Sequence, residues 1–276
     1  MNNIRRLAFI GGGNMAAALI GGLTKRGLPS NRVVVADPSP EQLSRLARDY
    51  GVQVAADNAS AVKGAEVVVL AVKPQQMRSV AVGLAPCLLQ APPLLISVAA
   101  GIPHAALARW FGQGVPVIRT MPNRPALNGF GATGLYAPAS VGAANRALAE
   151  MIMAAVSATV WVEHESQMDT VTALSGSGPA YFFLFMEALE TAAHERGLPK
   201  DIAHRLTLET AFGAAQMARH SADPLATLRD QVTSKGGTTA AALAVLDAAG
   251  LRAIVAHAVA AADRRSAELA AEFGAP

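Results

Sequence analysis

The sequence predicts an α/β first half built on a parallel sheet, followed by an all-helical second half. Three observations carry this. Short β-branched or aliphatic runs alternate with helical stretches as far as residue 162; beyond it the β-branched runs stop and long segments of helical periodicity take over. A cluster of glycines also interrupts the first apolar run where a strand would pass into a helix.

That first run is Leu7 to Ile10, the glycines are Gly11, Gly12 and Gly13, and helical spacing resumes from Met15 to Lys25. Gly11, Gly13 and Ala16 fit the G-x-G-x-x-G/A pattern. The first glycine makes the tight turn, the second lets a pyrophosphate approach, and the third position packs helix on strand. A second strand over 32–36 ends at Asp37, about 20 residues past Ala16, where a carboxylate bonds a ribose 2′-hydroxyl and repels a 2′-phosphate. Together these pieces predict a Rossmann-like nucleotide-binding unit whose first free helix amides face the phosphates.

Further strands follow at 66–71, 94–98 and 115–120, with helices at 40–50, 74–85 and 104–111 between or beside them. A last strand pair, 134–136 and 159–162, flanks a helix over 143–154. The helical half is broken at 197–199, 221–224 and 234–237, and its last segment, 251–273, reads as a packed helix. Two domains are expected, residues 1–163 and 164–276.

Composition narrows the function classes. The 276 residues are 52% hydrophobic but only 5% aromatic, so alanine and aliphatic side chains must form the core. The net charge is +3 and the basic residues are scattered, which leaves no nucleic-acid footprint. Cys87 is the single cysteine; it excludes an intrachain disulfide and is expected as a buried, inert thiol. The apolar run after Arg5 and Arg6 is too short for a signal peptide, and no stretch reaches the roughly 18 apolar residues of a membrane helix. A soluble, cytoplasmic protein without membrane attachment is the expectation. The six histidines form no i, i+4 pair and have no cysteine neighbour, so no metal site is expected.

Two glycine-bearing stretches in the helical half have little structural use in a packed helical domain. In VTALSGSGPAY (171–181), Thr172 and Ser175 sit a helical turn apart before Gly176, Gly178 and Pro179 interrupt or restart the helix. In VTSKGGTT (232–239), Gly236 and Gly237 precede Thr238 and Thr239 at a helix start, bringing free amides and hydroxyls together in a manner suited to a small carboxylate. Taken singly, each stretch also reads as a helix-to-helix turn.

In family order, FIGGGNMA (9–16), LAVKPQ (70–75), ISVAAG (96–101), RTMPN (119–123), TALSGSGPAY and VTSKGGTT span nearly the whole chain. With them the chain resembles the Δ1-pyrroline-5-carboxylate reductases, which make proline from a cyclic imine. The glycine turn alone would fit many dehydrogenases, a hydroxyacid dehydrogenase or a cofactor-sensing regulator among the alternatives. The resemblance implies NADPH or NADH as cofactor. Gly11, Gly12, Gly13, Asn14, Met15 and Ala16 would then hold the pyrophosphate, with Asp37 and Asn58 near the adenosine ribose. Ala71, Val72, Lys73, Pro74, Val98, Ala99 and Ala100 would line the nicotinamide side. It places substrate at Glu165, Thr172, Gly236, Gly237, Thr238 and Thr239, with Thr172 at the ring nitrogen as the catalytic hydroxyl. It also implies a homodimer with interleaved helical domains, often built into a larger ring. The chain departs from the family pattern at Arg124, where threonine is usual, at Lys235, where proline is usual, and at Asp37, since the family often uses NADPH.

Overall fold

Alternation of strand and helix governs the first half of the chain. In the computed structural model, which describes residues 4–88 and 91–275, the order is β1 (Leu7–Ile10), α1 (Asn14–Lys25), β2 (Val33–Ala36), α2 (Pro40–Tyr50), β3 (Gln53–Val54), α3 (Asn58–Val62), β4 (Val67–Leu70) and α4 (Pro74–Leu88). There follow β5 (Leu94–Ser97), α5 (His104–Phe111), β6 (Val117–Met121), β7 (Gly131–Tyr136), α6 (Ala143–Met153) and β8 (Ser157–Trp161). Strands β1, β2, β4 and β5 are buried at every position, so both faces of the sheet carry helices and the strands read as continuous apolar runs.

Side-chain alternation divides each strand between two cores. Leu7 and Phe9 pack with Leu19, Ile20 and Leu23 of α1 on one face; Ala8 and Ile10 pack with Met77, Ala81 and Leu84 of α4 on the other. The strands run β3-β2-β1-β4-β5-β6-β7-β8, parallel throughout except where β7 pairs antiparallel with β6. From β1 the chain builds outward to β3, then crosses to β4 on the other side of β1, so the topological switch point lies between β1 and β4. In open α/β sheets the ligand crevice forms there, outside the carboxyl ends of the strands.

Helices α2 and α5 occupy the spans that the sequence predicts. For α2 the local cause is visible: Ser39 Oγ accepts the Gln42 N–H at 3.3 Å and Pro40 fills the first helical position. The sequence reading misses β3 and α3, which at two and five residues are too short to show a period. Cys87 is exposed rather than buried. The buried stripe of α4 is Met77, Ala81, Leu84 and Leu88, at helical spacing, and Cys87 falls outside it.

The chain divides into two compact units, Met1–Ser177 with Ala261–Pro276, and Gly178–Ala260. The first compact unit thus runs on to Ser177, past the expected sequence boundary at Glu163. Helix α7 (Gln167–Val171) and the π turn Thr172–Gly176 belong to the sheet-bearing unit, where Met168 and Ala173 are buried. The end of the last helix is tied to the same unit: Ser266 Oγ donates to Asp169 at 2.7 Å and Thr170 Oγ1 donates to Asp263 at 2.7 Å. The outermost residues of the expected domain spans, 1–3 and 276, lie outside the described residues.

The second unit holds α8 (Gly178–Glu195), α9 (Lys200–His220), α10 (Leu225–Gln231), α11 (Thr238–Ala248) and the first part of α12 (Leu251–Phe273). Its apolar residues are largely uncovered in the single chain: Phe182, Leu184 and Val245 are about two-thirds or more exposed, and Phe183 and Phe212 more than half. Apolar surface on this scale marks a protein contact. No single helix among the described residues is long and apolar enough to cross a membrane; α11 and α12 pass that test only as a pair bent by 53°.

Candidate active site

The turn after β1 is built by backbone bonds to both neighbouring strands. Gly11 N–H donates to Ala36 O at 2.8 Å and Ala71 N–H donates to Ile10 O at 2.7 Å. Gly11 has φ +97°, and a Cβ there would meet the Ala71 carbonyl oxygen at 2.5 Å. Only glycine takes this conformation and this approach without strain. Gly13 precedes α1 in extended conformation and gives no side-chain bond to the first helical amides; a Cβ on it would meet nothing within 4 Å. The open space beside Gly13 and the unpartnered first amides of α1 fit a pyrophosphate.

On one side of this turn lies a cavity of about 340 Å³ lined by Gly11, Asp37, Asp57, Asn58, Val72 and Gln76 among others. It gathers four of the residues expected at the cofactor, Gly11, Asp37, Asn58 and Val72. Both Asp37 oxygens are engaged: Oδ2 accepts the Gly12 N–H at 2.7 Å and Oδ1 the Ser39 N–H at 2.8 Å. Asp57 caps α3 by accepting the Ser60 N–H at 2.7 Å, and bonding to Ser60 holds its carboxyl below the usual carboxylate range. Ala71 to Pro74 follow β4, and Val98 to Ala100 follow β5, at the same carboxyl edge of the sheet.

On the other side, a cavity of about 250 Å³ is lined by Asn14, Met15, Pro122, Asn123, Arg124, Leu127 and Gly176. It brings the first turn of α1, the end of RTMPN and the π turn of TALSG to one place, although they are scattered through the sequence. Asn123 fixes that convergence: its Nδ2 donates to Ser175 O at 2.9 Å and its Oδ1 accepts the Ala132 N–H at 2.9 Å. Thr172 donates its hydroxyl proton to Met168 O at 2.8 Å, while Ser177 N–H closes the π turn on Thr172 O at 2.9 Å. π turns of this kind recur at functional sites.

Glu165 is held from two sides. Its Oε1 accepts from Arg119 Nη1 and from the His104 backbone N–H, while Oε2 has no hydrogen bond among the described residues. Burial pushes the His104 imidazole below its usual pKa; Glu165 works against that and Arg119 with it. The sequence reading assigns no role to Arg119, Asn123 or His104. The one available signal is the arginine set in the apolar run of β6, which demands a buried partner.

The other expected substrate residues lie in the second unit. Gly236 has φ +70°, Gly237 N–H donates to Ser234 O at 3.0 Å, and α11 starts at Thr238 with no side-chain cap. The amides of its first turn therefore lack helical partners, beside the Thr238 and Thr239 hydroxyls. Lys235 is exposed.

Comparison with known proteins identifies the family. Residues 165–269 match the family model described as pyrroline-5-carboxylate reductase dimerisation, and residues 6–101 match that of NADP oxidoreductase coenzyme F420-dependent. The pyrroline-5-carboxylate reductase of Pseudomonas aeruginosa is 51% identical over 269 residues, covering 98% of each chain. Among solved structures, the pyrroline-5-carboxylate reductase of Coxiella burnetii superposes with a TM-score of 0.93 at 42% identity, covering 97% of this chain and 99% of that one. The Plasmodium falciparum pyrroline carboxylate reductase with NADP bound gives a TM-score of 0.85 at 29% identity, covering 98% and 99%. A glycine turn at the sheet's switch point, a dimerisation-model match over the helical half and 51% identity over 98% of each chain converge on one conclusion: the chain belongs to the pyrroline-5-carboxylate reductase family.

Proposed function

We propose that this protein reduces 1-pyrroline-5-carboxylate to L-proline with NADH or NADPH. The observation that carries the reading is the cavity where the first turn of α1, Asn123 and Gly176 meet, because it puts the expected pyrophosphate-holding start of α1 beside the π turn that begins at Thr172 and ends at Gly176. When bound, a reduced nicotinamide would supply a hydride with its electron pair to C5 of the protonated ring imine, whose C=N π pair would become the amine lone pair.

The chain's own residues then have three tasks. The amides at the start of α1 hold the pyrophosphate, and the Ala71–Pro74 and Val98–Ala100 edges hold the nicotinamide. The amides and hydroxyls from Gly236 to Thr239 hold the substrate carboxylate. Thr172 orients the ring nitrogen. Its proton is committed to Met168 O, so the hydroxyl oxygen is left to accept a hydrogen bond from the protonated imine N–H. Solvent supplies that proton, and Thr172 is an orienting group, not an acid. Glu165 keeps Oε2 for the same ring nitrogen while Arg119 holds its other oxygen.

The protein works as a homodimer through its helical half, whose uncovered apolar residues suit a second copy. A ring of such dimers, residence in the cytoplasm, and the absence of membrane or nucleic-acid partners complete the reading. Steady-state oxidation of NADH or NADPH with pyrroline-5-carboxylate, with proline identified as product, tests it. Turnover supports the assignment; cofactor binding without turnover overturns it.

A further inference from the structure

The 340 Å³ cavity beside the glycine turn has an uneven charge. Two carboxylates line it, Asp37 and Asp57, and no Lys, Arg or His does. Arg45, the nearest basic residue of α2 in sequence to Asp37, is not among the lining residues. Resting on the function proposed above, we infer that the protein is selective for NADH over NADPH, with Asp37 as the residue that sets the preference.

Asp37 sits at the end of β2, at the turn that leads into α2. Two backbone N–H groups, from Gly12 and Ser39, fix its oxygens at 2.7 and 2.8 Å. Both bonds call for an acceptor-only carboxylate, so the charge is held in the site and cannot swing away from a ligand. Each oxygen has lone-pair capacity left for a ribose 2′-hydroxyl. A 2′-phosphate would instead meet this fixed charge, with Asp57 on the same cavity and no Lys, Arg or His among the residues that line it. Because Gly12 belongs to the pyrophosphate turn, the Asp37 anchor also couples the ribose end of the site to the phosphate end.

The test is calorimetric binding of NAD⁺ and NADP⁺ to the purified full-length dimer, repeated with Asp37→Ser and Asp37→Asn. The wild type is expected to bind NAD⁺ roughly tenfold or more tightly than NADP⁺, with kcat/KM for NADH and NADPH in the same order. Both variants are expected to narrow that ratio, Asn testing the charge while keeping an acceptor for a backbone amide. Equal or tighter binding of NADP⁺ by the wild type overturns the inference and leaves the reductase reading in place. A wild-type preference that neither variant changes removes Asp37 from it. Failure to bind either dinucleotide overturns both.

Discussion

Arg119 donates from Nη1 to the carboxylate of Glu165, so a guanidinium only 9% exposed is neutralised by an acid that is 29% exposed. The pair links β6 to the segment after β8, and the His104 backbone N–H on the same oxygen adds the start of α5. Glu165→Ala leaves Arg119 buried and unpaired. It is expected to cost about 3 kcal/mol, the lower end for breaking a buried pair because Glu165 is partly solvated. Urea denaturation measures it, and Glu165→Gln, which keeps an acceptor, should lose less. Equal stability of all three proteins contradicts the structural part of this account.

His104 makes stability depend on pH. Its native pKa lies below the usual value, chiefly through burial, so in the window between the two the unfolded chain binds more protons than the native one. Its contribution is fully present above the unfolded pKa, near 6.5, and is lost as pH falls through the lowered native value. The melting temperature should drop below about pH 6.5, and less so in His104→Gln. An identical slope in the variant contradicts this assignment.

Thr172 separates orientation from acid catalysis. Thr172→Val removes one hydrogen bond accepted from a cationic imine and should lower kcat/KM by the equivalent of about 1.5–3 kcal/mol, with Thr172→Ser close to wild type. A loss of roughly 10⁴-fold would mean that the hydroxyl donates a proton, contrary to its bond with Met168.

Gly22 tests the packing of the far end of α1 against the residues between α6 and β8. A Cβ on it would overlap Val156 Cγ1 and lie 2.9 Å from Ala155 O, so α1 has no room to widen there. Gly22→Ala should destabilise by about 1–3 kcal/mol. An unchanged melting temperature would show that α1 moves freely off this contact.

The parallel sheet was legible in the sequence because burial on both faces writes β2, β4 and β5 as unbroken aliphatic runs, and Gly11 was legible because its φ and its approach to Ala71 admit little else. The extent of the first unit was not. Helical periodicity places α7 with the other helices, but what seats it is a set of bonds from the far end of α12, such as Ser266 to Asp169, that no local pattern encodes. Arg119 and Asn123 escaped for the same reason: their partners, Glu165 and Ser175, lie dozens of residues away. The commitment of the Thr172 proton to Met168 is a matter of geometry, which motif spacing does not carry.

The central claim is hydride delivery to C5 of the cyclic imine. It is tested most directly by running the reaction with cofactor carrying deuterium at both C4 positions of the nicotinamide and locating the label in the product by mass spectrometry and NMR. The account predicts L-proline with one deuterium at C5. Proline without label at C5, or no proline while the cofactor still binds, contradicts it.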